Sequence, residues 1–323
     1  MSKVFIILSS YQGEHFLADL LATIRAQSFV DWTLLARDDG STDGTRSVLV
    51  QAAAEDVRIE ILEPDGQHLG PFAGFAMLMQ RAYDRGAEYL FLADQDDLWH
   101  VDKLARLLAA LQTAEQQSPT MPCLAYSDAA VIDGQGHLLA KSFLQYTQLP
   151  YRSDRPLATL LGRSFVLGCA CGVNRALLSF ALPVPEKVAS HDWWLALCAA
   201  SVGEITLVDA PLFDYRRHIG NHSAPAFGLT TLFMPELWRD RWNRGWQSFC
   251  RSLDQAALLD ERLQCRGLHV RPEGETLRRF LDNVQSAQAP WKRVAGLWRL
   301  GLPRIDWRRR LLFYVCLLLN PKN

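Results

Sequence analysis

Seven cysteines are present, an odd number, and no two of them stand in a Cys-x-x-Cys spacing. That argues against a disulfide framework and against a zinc site, and it fits a reducing compartment. No apolar run approaches the roughly 18–20 residues needed to span a bilayer. The opening apolar stretch, residues 4–8, is too short for a signal peptide and runs straight into polar turn residues, so a cytoplasmic protein is expected. Charge of either sign is not in excess: a net charge of −1 provides no general field to attract nucleic acid. No Gly-x-x-x-x-Gly-Lys-Ser/Thr phosphate loop occurs. Internal repeats and low-complexity tracts are missing too, and 49% hydrophobic with 21% charged residues is a folded rather than a disordered composition.

What is present is an alternation of short apolar runs with amphipathic ones. Residues 4–8, 32–36, 59–62 and 89–93 read as strands, and the last is apolar throughout, as a strand buried on both faces should be. Between them, residues 16–24, 45–54 and 72–82 carry helical spacing. Strands alternating with helices predict an α/β fold with a mostly parallel, Rossmann-like sheet, whose ligands bind beyond the carboxyl ends of the strands. A chain of 323 residues is long for one domain. Strand signals stop near residue 225, so a catalytic domain over 1–225 and a helical, Trp-rich extension over 226–323 are expected. The extension is basic: residues 271–323 hold eleven Lys/Arg against four Asp/Glu.

The loops at the predicted ligand edge are rich in acid. Asp94-Gln95-Asp96-Asp97 follows the fourth strand directly, and an Asp-x-Asp there can bind a divalent cation that also holds a diphosphate. The simpler alternative is that Asp97 caps a helix running through Leu104 and Leu107, but capping needs one Asp, not three that repel one another. Arg37-Asp38-Asp39-Gly40-Ser41 is either a turn and cap or a place for a base N–H. Ser190-His191-Asp192-Trp193-Trp194 opens a helical run. Asp192 there is a cap or a general base, and the two indoles are core or an apolar platform for a sugar. Tyr215-Arg216-Arg217-His218 supplies cations for a diphosphate, or an imidazole for a metal.

Taken in order over residues 3–224, these segments resemble the inverting family 2 glycosyltransferases, whose catalytic domain has the GT-A fold. The Asp-Gln-Asp-Asp and His-Asp-Trp-Trp versions are most similar to bacterial rhamnosyltransferases of O-antigen and cell-wall polysaccharide synthesis. The resemblance implies that Ser10, Tyr11 and Glu14 line the nucleotide pocket and that Asp39 accepts from the base N3–H. It implies that Asp94 and Asp96 face ribose and metal-bound diphosphate, that Asp192 is the catalytic base, and that Trp193, Trp194 and Gly168 line the sugar and acceptor side. A divalent cation, Mg²⁺ or Mn²⁺, would sit on Asp96 and His218, with Asp94 and Asp97 as further ligands. Two departures from the family pattern stand out. Gln12 occupies a usual Asn, and His68-Leu69-Gly70 is followed by Gly74 where many relatives carry a second Asn.

The expected activity is transfer of a sugar, L-rhamnose from dTDP-rhamnose or a hexose or HexNAc from a UDP donor, onto a hydroxyl of a saccharide or lipid-linked oligosaccharide. Two other classes stay open on the residues alone: a metal-dependent nucleotidyltransferase, and a non-catalytic binder of sugar nucleotides or polysaccharide. Near the end, Arg308-Arg309-Arg310 runs into the apolar residues 311–319. That segment is either a peripheral contact with the inner membrane or a helix packed on the domain or on a second copy in a homodimer.

Overall fold

The computed structural model describes residues 3–63, 66–147, 155–218, 235–268 and 272–285, with a few helical positions between 292 and 299. Four strands form where the apolar runs lie: Val4–Ser10 (β1), Trp32–Asp38 (β2), Ile59–Ile61 (β3) and Tyr89–Ala93 (β4). Helices Leu17–Arg25 (α1), Thr45–Glu55 (α2) and Gly70–Asp84 (α3) connect them. The strands lie side by side in the order β3-β2-β1-β4, all parallel. Register pairs Ser10 with Asp38 and Leu8 with Ala93, so the loops after β1, β2 and β4 emerge together at one edge.

Side chains alternate across this sheet as the pleat requires. Val4, Ile6 and Leu8 face a core built with Leu17, Leu20, Leu49 and Leu107, whereas Phe5 and Ile7 face a second core with Phe75, Leu78 and Met79. Both faces are therefore covered, which is why β4 carries no polar residue.

Beyond β4 the sheet turns mixed. Leu98–Trp99 (β5), Lys103–Gln117 (α4), Cys123–Asp133 (β6), Leu138–Ala140 (β7), the short helices Phe143–Tyr146 (α5) and Pro156–Leu160 (α6), Cys171–Asn174 (β8), Arg175–Ala181 (α7), His191–Val202 (α8) and Glu204–Arg217 (β9) follow. The nine-stranded sheet continues β4-β8-β6-β9-β5, with β7 beside β6. β8 runs antiparallel to both β4 and β6. The sheet is therefore mixed, where a mostly parallel one is expected from the strand–helix alternation: β3-β2-β1-β4 and the β6–β9 pair run parallel, whereas β8, β5 and β7 pair antiparallel. β8 is entered through the 3-10 turn Gly168–Ala170, which follows α5 and α6. Gly172 is required on β8 because any Cβ there would strike the Phe91 ring.

The extension supplies Pro235–Cys265 (α9) and Pro272–Gln285 (α10). Ala256, Leu259, Leu263, Leu277, Phe280 and Val284 join the same core as Trp194 and Leu197 of α8. The Arg262 guanidinium reinforces this contact by donating to the carbonyls of Phe180, Leu182 and Pro183. The basic and apolar segment 304–319 lies outside the described residues.

Candidate active site

The three loops at the strand ends are tied to one another by side chains. Gln12 has a φ of 51°, a left-handed conformation that favours Asn or Gly over Gln. Its own bonds compensate: its N–H donates to Ser41 Oγ at 3.0 Å, and its side-chain amide donates to Thr42 Oγ1 at 2.9 Å and accepts from the N–H groups of Thr42 and Asp43. Gln95 pairs its amide with the backbone of Tyr11, accepting from N–H and donating to C=O, each at 2.9 Å. Glu14 accepts from Gly44 N–H at 2.9 Å, and the buried Ser10 hydroxyl donates to the Arg37 carbonyl. Tyr11 stays 45% exposed with its ring against His68. These bonds tie the three loops together at the strand-end edge, with Tyr11 left exposed.

Asp39 is 2% exposed, and its carboxylate accepts from Leu69 N–H at 2.9 Å, from Gly70 N–H at 2.7 Å and from the Arg37 guanidinium, with His68 Nδ1 at 3.0 Å from the same group. Burial pushes this carboxyl up, but the two N–H groups and Arg37 outweigh it and hold the group below the usual carboxylate range. The His68-Leu69-Gly70 departure from the family pattern is thus the segment that engages Asp39.

The acidic loop does not cap a helix: Leu98 and Trp99 form β5 against β9, and α4 begins at Lys103 after Asp102. Asp96 Oδ2 lies 2.8 Å from His218 Nε2. Arg216 fixes this meeting by donating from Nε to the Asp96 carbonyl at 3.1 Å while its guanidinium lies over Phe16, whose ring is 5.0 Å from the His218 imidazole. Arg216 and Arg217 are thus engaged with the protein, Arg217 with the Tyr146 hydroxyl.

Behind them, one ligand atom from each of Asp94, Asp97 and Cys169 falls within 4.8 Å of the others. Burial, then the Asp96 charge, push the Asp94 carboxyl up to about 7; burial, then Asp94, push Asp97 up as well. Lys103 is their buried countercharge. Its ammonium donates to the Cys169 carbonyl at 2.6 Å and lies 3.8 Å from the Trp99 ring centroid, and burial pushes it down to about 8.

Asp192 sits in the first turn of α8, where Ser190 is the capping residue. Its Oδ2 accepts from Gly168 N–H at 3.0 Å and its Oδ1 from Trp193 N–H at 2.7 Å. The Asp192 charge reaches Asp94, so the two carboxylates share one electrostatic neighbourhood. The indoles of Trp193 and Trp194 are core. Trp194 has no exposed surface, and each ring N–H donates to a backbone carbonyl, Leu160 and Ala181. The expected sugar platform is therefore not built from them: the helix turns both rings into the packed layer and leaves Asp192 and His191 partly exposed.

Residues 5–180, just over half of the chain, match the family described as Glycosyl transferase family 2. The chain belongs to this family. Among relatives, it is 27% identical over 217 residues to TuaG of Bacillus subtilis, named as a teichuronic acid biosynthesis glycosyltransferase, covering 59% of this chain and 82% of TuaG. It is 24% identical over 247 residues to the dTDP-rhamnosyl transferase RfbG of Shigella flexneri, covering 73% and 81%. The fold matches that of S. aureus TarS 1-349, solved in complex with UDP-GlcNAc, at a TM-score of 0.56 and 16% identity over 99% of this chain and 89% of the other.

The protein is a glycosyltransferase with the GT-A fold, which decides among the three classes left open by the residues alone. Around the site of this glycosyltransferase, motif reading points to Asp192 but assigns nothing to its neighbour His191, to Gln95 or to Lys103. Gln95 is the unassigned middle position of Asp-x-Asp, and the partners of His191 and Lys103 are far away in sequence. Among the described residues no helix is long and apolar enough to cross a membrane.

Proposed function

We propose that this enzyme transfers L-rhamnose from dTDP-rhamnose onto a hydroxyl of a growing, lipid-linked polysaccharide or O-antigen, inverting the anomeric carbon, with Asp192 as the base. The observation that carries the reading is the Asp192 carboxylate, held by two backbone N–H groups at the same edge as the acidic loop. A carboxylate base needs position more than strength when the proton leaves as the hydroxyl attacks. Ser10, Tyr11, Glu14 and Asp39 line the nucleotide side. The Asp39 carboxylate already accepts from Leu69, Gly70 and Arg37, so a base N3–H would share it with that turn.

Asp96 and His218 meet at 2.8 Å, a carboxylate and an imidazole that suit a divalent cation such as Mg²⁺ or Mn²⁺, whereas the Asp94 carboxyl clusters with Asp97 and Cys169. Asp96 and His218 would hold it, with Asp94 and Asp97 as further ligands from the adjoining cluster. Bound there, the ion would supply positive charge for the departing nucleoside diphosphate. The rhamnosyl donor is supported by the likeness to RfbG and by the His-Asp-Trp-Trp motif. A UDP-hexose or UDP-HexNAc donor is the second reading, favoured by the shared fold with the UDP-GlcNAc complex of TarS. Cytoplasmic placement, with the basic segment 304–319 against anionic lipid near a lipid-linked acceptor, belongs to the same proposal.

The test is nucleoside diphosphate release from dTDP-rhamnose, UDP-glucose, UDP-galactose and UDP-GlcNAc. The Asp192→Asn enzyme should lose about 10²–10⁴-fold in turnover of the accepted donor while binding that donor as the wild type does. Undiminished turnover in Asp192→Asn would sink the assignment of the base.

A further inference from the structure

His191 carries polar capacity at this site that the described residues do not use. It is the first residue of α8 and is only partly buried. Its imidazole stacks on Phe75 of α3, centroids 4.4 Å apart and planes 26° from parallel. Neither ring nitrogen has a hydrogen-bond partner among the described residues. The other flank of the ring is Gly168. A Cβ built on that glycine would stand 3.2 Å from His191 Nε2, 3.5 Å from the Asp192 Cβ and 3.8 Å from Asp192 Oδ2. His191 Nε2 and Asp192 Oδ2 therefore lie near each other beside Gly168, where a side chain on residue 168 would crowd them.

The helix that carries Phe75 begins at Gly70, whose N–H holds Asp39 on the nucleotide side. His191 thus stands between the nucleotide side and the base, where the transferred sugar must lie for a hydroxyl activated at Asp192 to reach its anomeric carbon. We propose that His191 is a specificity residue: wedged between Phe75 and Gly168, its imidazole hydrogen-bonds a hydroxyl of the transferred sugar beside Asp192. This inference rests on the glycosyl-transfer reading above.

The imidazole suits a neutral, donor-and-acceptor role. Burial holds it below its ordinary range against the opposing pull of Asp192, and the N-terminus of α8 disfavours a cation at the same place. A neutral imidazole presents one N–H and one lone pair, and a sugar hydroxyl can satisfy either. Phe75 fixes the ring plane, so the unused nitrogen meets the sugar with little ordering cost.

The test is calorimetric binding of dTDP-rhamnose, UDP-glucose and UDP-GlcNAc, compared with dTDP and UDP alone, to the wild type, His191→Phe and His191→Gln. Phe keeps an aromatic ring against Phe75 but removes both polar atoms; Gln restores a donor and an acceptor. The expected result is that His191→Phe binds the accepted sugar nucleotide about tenfold more weakly, binds the bare nucleotide as the wild type does, and is rescued in part by Gln. Equal binding of the sugar nucleotide by wild type and His191→Phe overturns the proposal, as does a folded His191→Phe that loses sugar nucleotide and bare nucleotide in equal measure. A wild type that binds none of the three donors overturns the underlying transfer reading instead, so the two failures are distinguishable.

Discussion

Asp192 gains its place from two N–H groups of different origin, Trp193 on its own helix and Gly168 on the 3-10 turn before β8. The glycine matters because the turn must come close enough to donate while leaving room for His191. In Gly168→Ala the new methyl would press on His191 Nε2 at 3.2 Å, tighter than ordinary contact. The ring cannot retreat because Phe75 backs it. We expect Gly168→Ala to fold with a melting temperature near that of the wild type and to lose about 10–100-fold in turnover, the usual cost of a reacting group displaced by a fraction of an ångström to 1 Å. Thermal melting beside a turnover assay checks both halves. Lys103 shows a second residue-scale economy: one buried ammonium, held by a carbonyl and two aromatic faces, offsets carboxylates that otherwise repel.

At the scale of elements, β5 is only two residues long, yet it locks the acidic loop to β9. His100 strengthens that lock, with Nε2 3.0 Å from Asp214 Oδ1 and Nδ1 3.0 Å from the Pro211 carbonyl. Both nitrogens face acceptors, so the Asp214 carboxylate in particular raises the imidazole above its ordinary 6.5. A raised histidine adds stability that is fully present below the unfolded value and is lost as pH rises through the folded one. Melting of wild type and His100→Gln between pH 6 and 8.5 should show the wild type ahead at pH 6 and the gap closing as pH rises. A gap that widens with pH would contradict the pairing. The first three strand–helix cycles are legible because their periodicity is local: β4 lies where the apolar run does, and α1 buries Leu17, Leu20, Leu21 and Ile24 at helical spacing. β8 and β9 escape such reading. Cys-Gly-Val-Asn carries little strand signal, and β9, interrupted by Pro211 and shifted twice in its register with β6, lacks a clean period of two. The site divides the same way. Acidic loops announce themselves by composition, whereas the burial of Trp193 and Trp194, the stacking of His191 on Phe75 and the burial of Lys103 depend on partners that only the folded sheet brings near.

Over the whole molecule, one sheet with covered faces leaves its strand ends as the place where polar groups gather. The nucleotide-side loops, the acidic loop with His218 and the Asp192 turn all arrive there from separate parts of the chain. Helices α9 and α10 extend the core behind α8, so the helix that presents Asp192 is backed on its far side by Leu259, Phe280 and their neighbours. The central claim is that this edge binds a nucleotide sugar through a divalent cation. The most direct measurement is calorimetric titration of the whole protein with dTDP-rhamnose, UDP-glucose, UDP-galactose and UDP-GlcNAc, first with Mn²⁺ or Mg²⁺ and then with EDTA. The account predicts binding of one donor that EDTA abolishes. Binding unchanged by EDTA would contradict the role given to Asp94, Asp96 and His218, and no binding of any donor would contradict the proposed donor class.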